Sequence, residues 1–285
     1  MQQQICLITG ATSGIGNATA IELAKLGYNL ILTSRNEVKG NKIAKSISKK
    51  YKNKIEFVRT DISSLKNVRK FSEYIKSKYD HIDVLINNAG SRFNNYKKSA
   101  DGIELTFATN HLGHFLLTLS LIDLLKKSRS ARIINVSSSS HAGNAIDLNN
   151  IVSPKYYDKS FVYGQSKLAN VLFTYELAKR LQEESITVNT LDPGSVATNF
   201  ARNDGLYYWV KHIVYYLLKG ELLTPKQGAE TVVFLASSPV VEGVSGKYFY
   251  KNKEKKSSEH SYDGKAAKQL WDLSIKLCEI EENSL

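Results

Sequence analysis

Short apolar runs recur along the chain, and longer stretches with apolar residues at helical spacing separate them. Glycine, proline or polar residues bound each run, as is typical of strands covered on both faces of a sheet. The runs that we predict to be strands are 5–8, 30–34, 55–58, 84–86, 132–136, 187–191 and 246–250.

The stretches between these runs predict helices, because their apolar positions recur every three or four residues. The predicted helices cover 18–26, 37–50, 68–79, 103–127, 163–181, 225–236 and a C-terminal segment at about 265–279. Strands that alternate with helices predict a doubly wound parallel sheet with right-handed connections. We therefore expect one α/β domain over 1–285, with a layer of helices on each face of the sheet.

The composition fits a folded protein of a reducing compartment. The chain has 285 residues, of which 42% are hydrophobic, enough to bury a full core. Cys6 and Cys278 are too few and too far apart for a disulfide framework or a zinc site. The first residues lead directly into an apolar strand, so we expect no signal peptide and a cytoplasmic location. No apolar run reaches the roughly 20 residues of a membrane span.

The net charge of +12 favours anionic partners. The lysines are scattered, with local density at 39–54 and 251–256. This distribution indicates a solvated basic face rather than a nucleic-acid surface, and we expect no nucleic-acid partner. Binding of nucleic acid or lipid through this charge would appear as salt-sensitive binding without a cofactor.

A glycine-rich turn follows the first strand and precedes the first helix. Its sequence is Thr9-Gly10-Ala11-Thr12-Ser13-Gly14-Ile15-Gly16. Glycines let the backbone approach a pyrophosphate, and the helix N-terminus supplies free N–H groups and a positive dipole. This context favours a dinucleotide site over a tight structural turn. The expected cofactor-binding residues of the turn are Gly10, Thr12, Ser13, Gly14, Ile15 and Gly16.

The tip of the second strand bears on which dinucleotide binds. A free ribose 2′-hydroxyl is usually met by an acidic residue there. Here the tip carries Arg35, and the first carboxylate is Glu37. A guanidinium suits a 2′-phosphate, which it can bond with two N–H groups. We therefore favour NADP(H) over NAD(H), although Ser13 adds no second basic residue, and a plain surface charge is the alternative for Arg35.

Two further strand ends carry candidate cofactor contacts. Asp61 and Ile62 follow the third strand; the carboxylate could accept from an adenine amino group or cap the helix that starts near Leu65. Asn87-Asn88-Ala89-Gly90 ends the fourth strand, where small residues and amides allow close approach of a ribose or simply make a turn. We expect Asp61, Ile62, Asn88, Ala89 and Gly90 to line the cofactor site.

Tyr163 and Lys167 are four residues apart and leave one face of a predicted helix. A free tyrosine has a pKa near 10, and a neighbouring cation lowers that pKa, so the pair could exchange a proton near neutral pH. Taken alone, the spacing also fits a helix start with an exposed lysine.

Other polar residues offer weaker signals. Asn110 inside a predicted helix indicates a local role or a polar core contact. His111 and His114 are three apart, but no third ligand is near, and we expect no metal. Four serines at 137–140 follow the fifth strand, where open α/β sheets bind ligands, without the G-x-S-x-G pattern of a nucleophilic serine. We assign His141 no role as a base for such a serine.

The segment after the sixth predicted strand consists of a rigid turn followed by an apolar, aromatic stretch. Asp192-Pro193-Gly194-Ser195-Val196-Ala197-Thr198 could cover a cofactor ring. The residues at 199–224 are rich in aromatic and apolar side chains, too few to span a bilayer. We expect a lid over an apolar pocket, with peripheral membrane contact and ordinary core as alternatives.

The order of these motifs resembles the short-chain dehydrogenase/reductase family over essentially the whole chain. The glycine turn, the 87–90 element, Asn110, Ser138 and the Tyr163/Lys167 pair match the family's motifs. The stretches 135–138, 166–173 and 246–249, with the long gap from serine to tyrosine, are similar to the retinol dehydrogenase branch. Asp192 stands where that branch commonly has His or Asn.

The resemblance implies a Rossmann-type fold and hydride transfer between NADP(H) and a carbonyl/alcohol pair. It implies that Tyr163 exchanges the proton, that Lys167 lowers the pKa of Tyr163 and bonds the nicotinamide ribose, and that Ser138 holds the substrate oxygen. It further implies that Asn110 holds a water that relays protons to Lys167. The nicotinamide amide would meet Val196 and Thr198 beside the Pro193–Gly194 turn.

Two functions from different classes follow as hypotheses. The first is an oxidoreductase acting on an apolar aldehyde, ketone or retinoid-like alcohol, as a homo-oligomer. The alternative is a catalytically silent NADP(H)-binding interaction protein. Such a protein would not need Asn110, Ser138, Tyr163 and Lys167 together, which favours the enzyme.

Overall fold

The computed structural model describes residues 3–143, 145–196, 219 and 221–281. An eight-stranded sheet forms the centre, in the order β3-β2-β1-β4-β5-β6-β7-β8. The pairs from β3 through β7 are parallel, and β8 pairs antiparallel with β7. The strands are β1 (Ile5–Thr9), β2 (Asn29–Ser34), β3 (Ile55–Arg59), β4 (Val84–Asn87), β5 (Ala131–Val136), β6 (Ile186–Asp192), β7 (Lys247–Tyr250) and β8 (Lys253–Glu254).

Helices cover both faces of this sheet, which confirms the predicted doubly wound, Rossmann-type α/β fold. They are α1 (Gly14–Lys25), α2 (Glu37–Tyr51), α3 (Leu65–Lys78), α4 (Leu105–Phe107), α5 (Gly113–Ser120), α6 (Ile122–Lys126), α7 (Lys159–Arg180), α8 (Pro225–Ser237) and α9 (Gly264–Leu277). The strand order reverses between β1 and β4, and such a switch point opens a crevice at the carboxyl ends of the strands.

The predicted single helix over 103–127 is wrong in detail. The helix begins at Leu105, where the Glu104 carboxylate accepts from the N–H groups of Thr106 and Phe107 at 2.8 and 2.7 Å. A π-helical turn (Ala108–Leu112) separates α4 from α5, and Leu121 leaves helical geometry before α6. π-Helical turns occur often at functional sites, and this one contains Asn110.

Side chains on alternate positions of each strand fill two core layers. Leu7, Leu85 and Ile133 pack with α3, α5, α7 and α9 on one face. Ile8 and Ile86 pack with α1 and α8 on the other. Burying one such side chain contributes about 1.5–3 kcal/mol, so these layers hold the strand ends in fixed positions.

Most of the predicted lid lies outside the described residues, as does the aromatic stretch considered for membrane contact. Within the described part of the predicted lid, Leu223 pairs with Val196 in a parallel bridge. Among the helices of the described residues, none combines the length and apolar character needed to span a bilayer.

Candidate active site

The carboxyl ends of β1, β2, β3 and β4 surround a cavity of about 370 Å³. Its walls contain all of the predicted cofactor residues from the glycine turn, from the tips of β2 and β3, and from the 87–90 element. They are Gly10, Thr12, Ser13, Gly14, Ile15, Gly16, Arg35, Asp61, Ile62, Asn88, Ala89 and Gly90. The tertiary structure thus brings these dispersed residues into one crevice.

The glycine turn fits a pyrophosphate. Gly10 and Gly14 have φ values of +68° and +53°, which favour glycine. Ser13 is the N-cap of α1, but its side chain makes no capping hydrogen bond, whereas Asn36 and Ser64 cap α2 and α3. The first N–H groups of α1 therefore remain available to an anion at the cavity.

Thr9 connects the glycine turn to the 87–90 element, a role that the sequence motifs do not reveal. Its hydroxyl accepts from the N–H groups of Asn88 and Ala89, both at 2.9 Å. Asn88 Nδ2 donates to the Thr9 carbonyl at 2.8 Å. A Cβ on Gly16 would lie 2.5 Å from Asn88 Nδ2 and from the Gly10 carbonyl oxygen. Only a glycine lets the two loops approach this closely.

His114 completes this arrangement. Nδ1 of His114 donates to the Asn110 carbonyl at 3.1 Å, and burial lowers the pKa of His114 to about 4. The ring is therefore neutral, and Nε2 accepts from the Thr9 hydroxyl at 2.9 Å. In the sequence, the i, i+4 spacing of Asn110 and His114 indicates this contact. We had considered only the spacing of His114 from His111, which is typical of metal ligands.

The rim of the cavity holds Arg35 and Asp61. Arg35 is exposed beside Asn36, whose side chain accepts from Lys39 N–H at 2.9 Å. Asp61 accepts from both the N–H and the hydroxyl of Ser63. The capping alternative for Asp61 is wrong, because Ser64 is the N-cap of α3.

Ile62 supports the floor of the cavity through a close backbone contact. A Cβ on Gly113 would lie 2.0 Å from the Ile62 carbonyl oxygen, so α5 begins directly against this loop.

Asn110 connects the cofactor crevice to α7. Its Oδ1 accepts from Ser91 N–H at 2.8 Å, and its Nδ2 donates to the Ser91 carbonyl and to Ser166 Oγ, both at 2.9 Å. Ser166 Oγ in turn donates to the Tyr163 carbonyl at 2.7 Å. Asn110 is fully buried, so these hydrogen bonds are shielded from water.

Tyr163 and Ser138 meet beyond the end of β5. Asp158 caps α7 by accepting from Phe161 N–H at 2.6 Å, so Tyr163 lies in the second turn of the helix. The hydroxyls of Tyr163 and Ser138 are hydrogen-bonded. Burial raises the pKa of Tyr163 to about 12, against the smaller lowering effect of the bond to Ser138. This direction is opposite to the lowering that the sequence predicted.

Lys167 is buried, which rules out the alternative of an exposed lysine at a helix start. Its Nζ donates to the Val136 carbonyl at 3.0 Å and lies 5.7 Å from the centre of the Tyr163 ring. Burial lowers the pKa of Lys167 to about 8. The ammonium is therefore engaged by a backbone carbonyl rather than by the phenol oxygen, which explains why burial governs the pKa of Tyr163.

The other histidines of the region are structural. His141 Nδ1 donates to the Ser138 carbonyl at 2.7 Å, and Nε2 accepts from Ser258 N–H at 2.9 Å. His111 stacks on Phe107 and bonds Ser274 Oγ. Within the part of the chain that the structure describes, no group of three or more His, Cys, Asp or Glu residues is placed to hold a metal ion.

The predicted cofactor contacts of the turn after β6, Pro193, Gly194 and Val196, do not line this cavity. Gly194 has φ +79°, and its N–H donates to Asp192 Oδ1 at 3.0 Å, which fixes the Pro193–Gly194 turn. Val196 follows in the bridge to Leu223. Thr198 lies outside the described residues.

Comparison with known proteins agrees with this geometry. A family model described as short chain dehydrogenase matches residues 4–206. The chain is 41% identical to retinol dehydrogenase 14 from Homo sapiens over 288 residues, covering 96% of this chain and 86% of the relative. It is 38% identical to polyprenol dehydrogenase from Homo sapiens over 291 residues, covering 99% and 87%.

A solved structure has a similar fold. An uncharacterised protein from Mycobacterium paratuberculosis matches with a TM-score of 0.79 at 30% identity, covering 98% of this chain and 94% of that one. The chain belongs to the short chain dehydrogenase family, in its retinol dehydrogenase-like branch, and is an oxidoreductase that interconverts a carbonyl and an alcohol with a nicotinamide cofactor.

Proposed function

We propose that this protein is an NADP(H)-dependent oxidoreductase whose substrate is an apolar aldehyde, ketone or retinoid-like alcohol. The observation that carries the proposal is the hydrogen-bonded pair of Ser138 and Tyr163, with Lys167 one helical turn away at the end of the cofactor crevice. Ser138 is distant from Tyr163 and Lys167 in the sequence, and the fold brings the three side chains together beside a loop suited to a dinucleotide.

In this proposal each residue handles a proton or an orientation. The bound nicotinamide supplies or accepts the hydride. Ser138 donates to the substrate oxygen and holds it within reach of Tyr163, which gives a proton to the carbonyl oxygen in reduction and takes it back in oxidation. Lys167 bonds the nicotinamide ribose and, when its ammonium turns toward the phenol, lowers the pKa of Tyr163.

The space beside Gly90 suits the proposed water relay. A Cβ on Gly90 would lie 3.4 Å from both Asn110 Oδ1 and Lys167 Nζ, so the glycine leaves room between these two groups. Asn110 Oδ1 accepts one N–H and retains a second lone pair. A water bridging Asn110 and Lys167 would link the lysine to the polar interior.

Arg35 supports the choice of NADP(H), because it is exposed at the tip of β2 on the rim of the crevice. We expect Arg35→Asp to lower the ratio of kcat/KM for NADPH to that for NADH by roughly 10- to 100-fold, since a charge-assisted hydrogen bond contributes about 1.5–3 kcal/mol. Steady-state rates with both cofactors measure this ratio.

The matched control is Arg129→Asp, which makes the same charge change at an exposed position just before β5, at the amino ends of the parallel strands and away from the crevice. An unchanged cofactor ratio in Arg35→Asp would reject the contact with the 2′-phosphate.

The names of two relatives support an apolar substrate. Retinol dehydrogenase 14 and polyprenol dehydrogenase are named for isoprenoid alcohols.

A substrate panel tests the proposal. We expect isoprenoid and long-chain aldehydes to give at least roughly tenfold higher kcat/KM than short polar aldehydes, because each buried CH₂ contributes about 0.8 kcal/mol. The assay follows NADPH absorbance, with the reverse reaction measured on the matching alcohols. Equal rates on both classes would contradict the apolar substrate. Tight NADPH binding without turnover on any substrate would support the silent interaction protein instead.

A further inference from the structure

Asp192 is a buried carboxylate at the end of β6 that the proposed mechanism does not use. Its side chain is 8% exposed, and Oδ1 accepts from Gly194 N–H at 3.0 Å. The neighbouring strand residue Leu191 pairs with Val136, whose carbonyl binds the Lys167 ammonium. Asp192 therefore lies one residue from the backbone that anchors Lys167.

The strand pattern decides which way the carboxylate faces. Ile186 and Val188 pack in the core layer under α7, whereas Leu191 packs in the layer under α1 and α8. Side chains alternate along a strand, so Asp192 faces α7. This is the face on which Tyr163 and Lys167 lie.

A chain of contacts links the same face to Ser138. Thr190 and Asp192 of β6 pair with Tyr248 and Tyr250 of β7. The Tyr248 ring lies 4.9 Å from the ring of His141, which donates to the Ser138 carbonyl. The face of β6 that carries Thr190 and Asp192 therefore lies beside the contacts that hold the Ser138 loop.

The charge of Asp192 acts on both proton-handling groups. It raises the pKa of Tyr163, and it raises the pKa of Lys167 against the larger lowering effect of burial. Arg92, which follows the Ser91 held by Asn110, acts in the opposite direction on Tyr163. Among the described residues, the other titratable groups at this corner are His141, Tyr175, Tyr248, Tyr250 and Lys255.

We propose that Asp192 is a positioning residue for proton transfer, whose negative charge favours the proton on Tyr163 and the ammonium on Lys167. This inference rests on the proposed function. In reduction, a hydride adds to the carbonyl carbon while the O–H bond of Tyr163 breaks and its proton forms the alcohol O–H. Reduction therefore needs the phenol, and oxidation needs the phenolate.

The test is the pH dependence of kcat/KM for D192N in both directions. Asparagine keeps the oxygen that accepts from Gly194 N–H, so the turn can be retained while the charge is lost. We expect the alkaline fall of carbonyl reduction and the rise of alcohol oxidation both to move to lower pH by about one unit, a tenfold change in proton affinity. D192E keeps the charge and should retain the parent profile.

Asp272→Asn is the control for net charge, because it removes the same charge from an exposed position on α9. Its pH profiles of kcat/KM for reduction and for oxidation should coincide with those of the parent. D192S gives a second measurement if D192N does not fold, as judged by its thermal transition.

Inactivity of the parent protein on every substrate would reject the proposed function. If the parent is active and D192N or D192S has the same pH profile of kcat/KM as the parent, only the role of Asp192 is overturned. A uniform fall in rate without a pH shift would do the same, because it would indicate a purely structural carboxylate.

Discussion

Replacing Tyr163 by Phe should lower kcat by about 10²- to 10⁴-fold, the contribution typical of a positioned general acid. The substitution removes one oxygen, and with it the hydrogen bond to Ser138, from a half-buried position in the second turn of α7. NADPH should still bind within a few-fold of the parent affinity, because the crevice walls are unchanged. Turnover and fluorescence titration of NADPH measure the two effects separately.

Tyr175→Phe provides the matched control on the same helix. Its hydroxyl bonds Ser257 Oγ at 2.7 Å, and Tyr175 lies more than three helical turns from Tyr163 along α7. We expect a loss of roughly 1 kcal/mol of stability and little change in kcat. Turnover of Tyr163→Phe within a few-fold of the parent would show that another group transfers the proton.

Replacing Gly16 by Ala should weaken cofactor binding by about 10- to 100-fold. The added Cβ would lie 2.5 Å from the Gly10 carbonyl oxygen and from Asn88 Nδ2. Relief requires the glycine turn to separate from the 87–90 element, and such overpacking typically costs about 1–3 kcal/mol. The dissociation constant of NADPH measures the effect, and the thermal transition shows how much of the strain is shared with the fold.

Gly264→Ala is the control for this substitution. Gly264 begins α9, and a Cβ there would meet nothing within 4 Å. We expect no loss of NADPH affinity and a stability equal to or above that of the parent. If Gly16→Ala bound NADPH as tightly as Gly264→Ala, the glycine turn would not hold the pyrophosphate.

The pKa values of the site illustrate how burial can outweigh a neighbouring charge. From the sequence, the lysine one turn away predicts a lowered pKa for Tyr163. In the fold, Lys167 donates to the Val136 carbonyl, and burial together with Asp192 raises the pKa of Tyr163 to about 12. Proton transfer near neutral pH then requires additional positive charge at the phenol. An oxidised nicotinamide and a reoriented Lys167 would both supply it.

Local patterns were sufficient for the architecture and for most of the candidate site. The glycine turn, the 87–90 element and the tip at Arg35 follow strands directly, and the carboxyl ends of parallel strands share one edge of a sheet. Their convergence could therefore be predicted without coordinates. The i, i+4 spacing of Tyr163 and Lys167 was likewise enough to place them on one face of α7.

Long-range contacts decided the remaining features of the candidate site. The π-helical turn at Asn110, the bonds of Thr9 to Asn88 and Ala89, and the neutral ring of His114 join residues that no local period relates. The orientation of Asp192 toward α7 likewise depends on how β6 packs between two core layers.

The sequence by itself determined the order of strands and helices, the glycine turn and the identities of the chemical groups, because these depend on neighbours within one or two turns of chain. Only the tertiary structure decided the protonation of Tyr163 and Lys167. That property depends on burial and on the charges of Asp192 and Arg92, which come from other strands and loops.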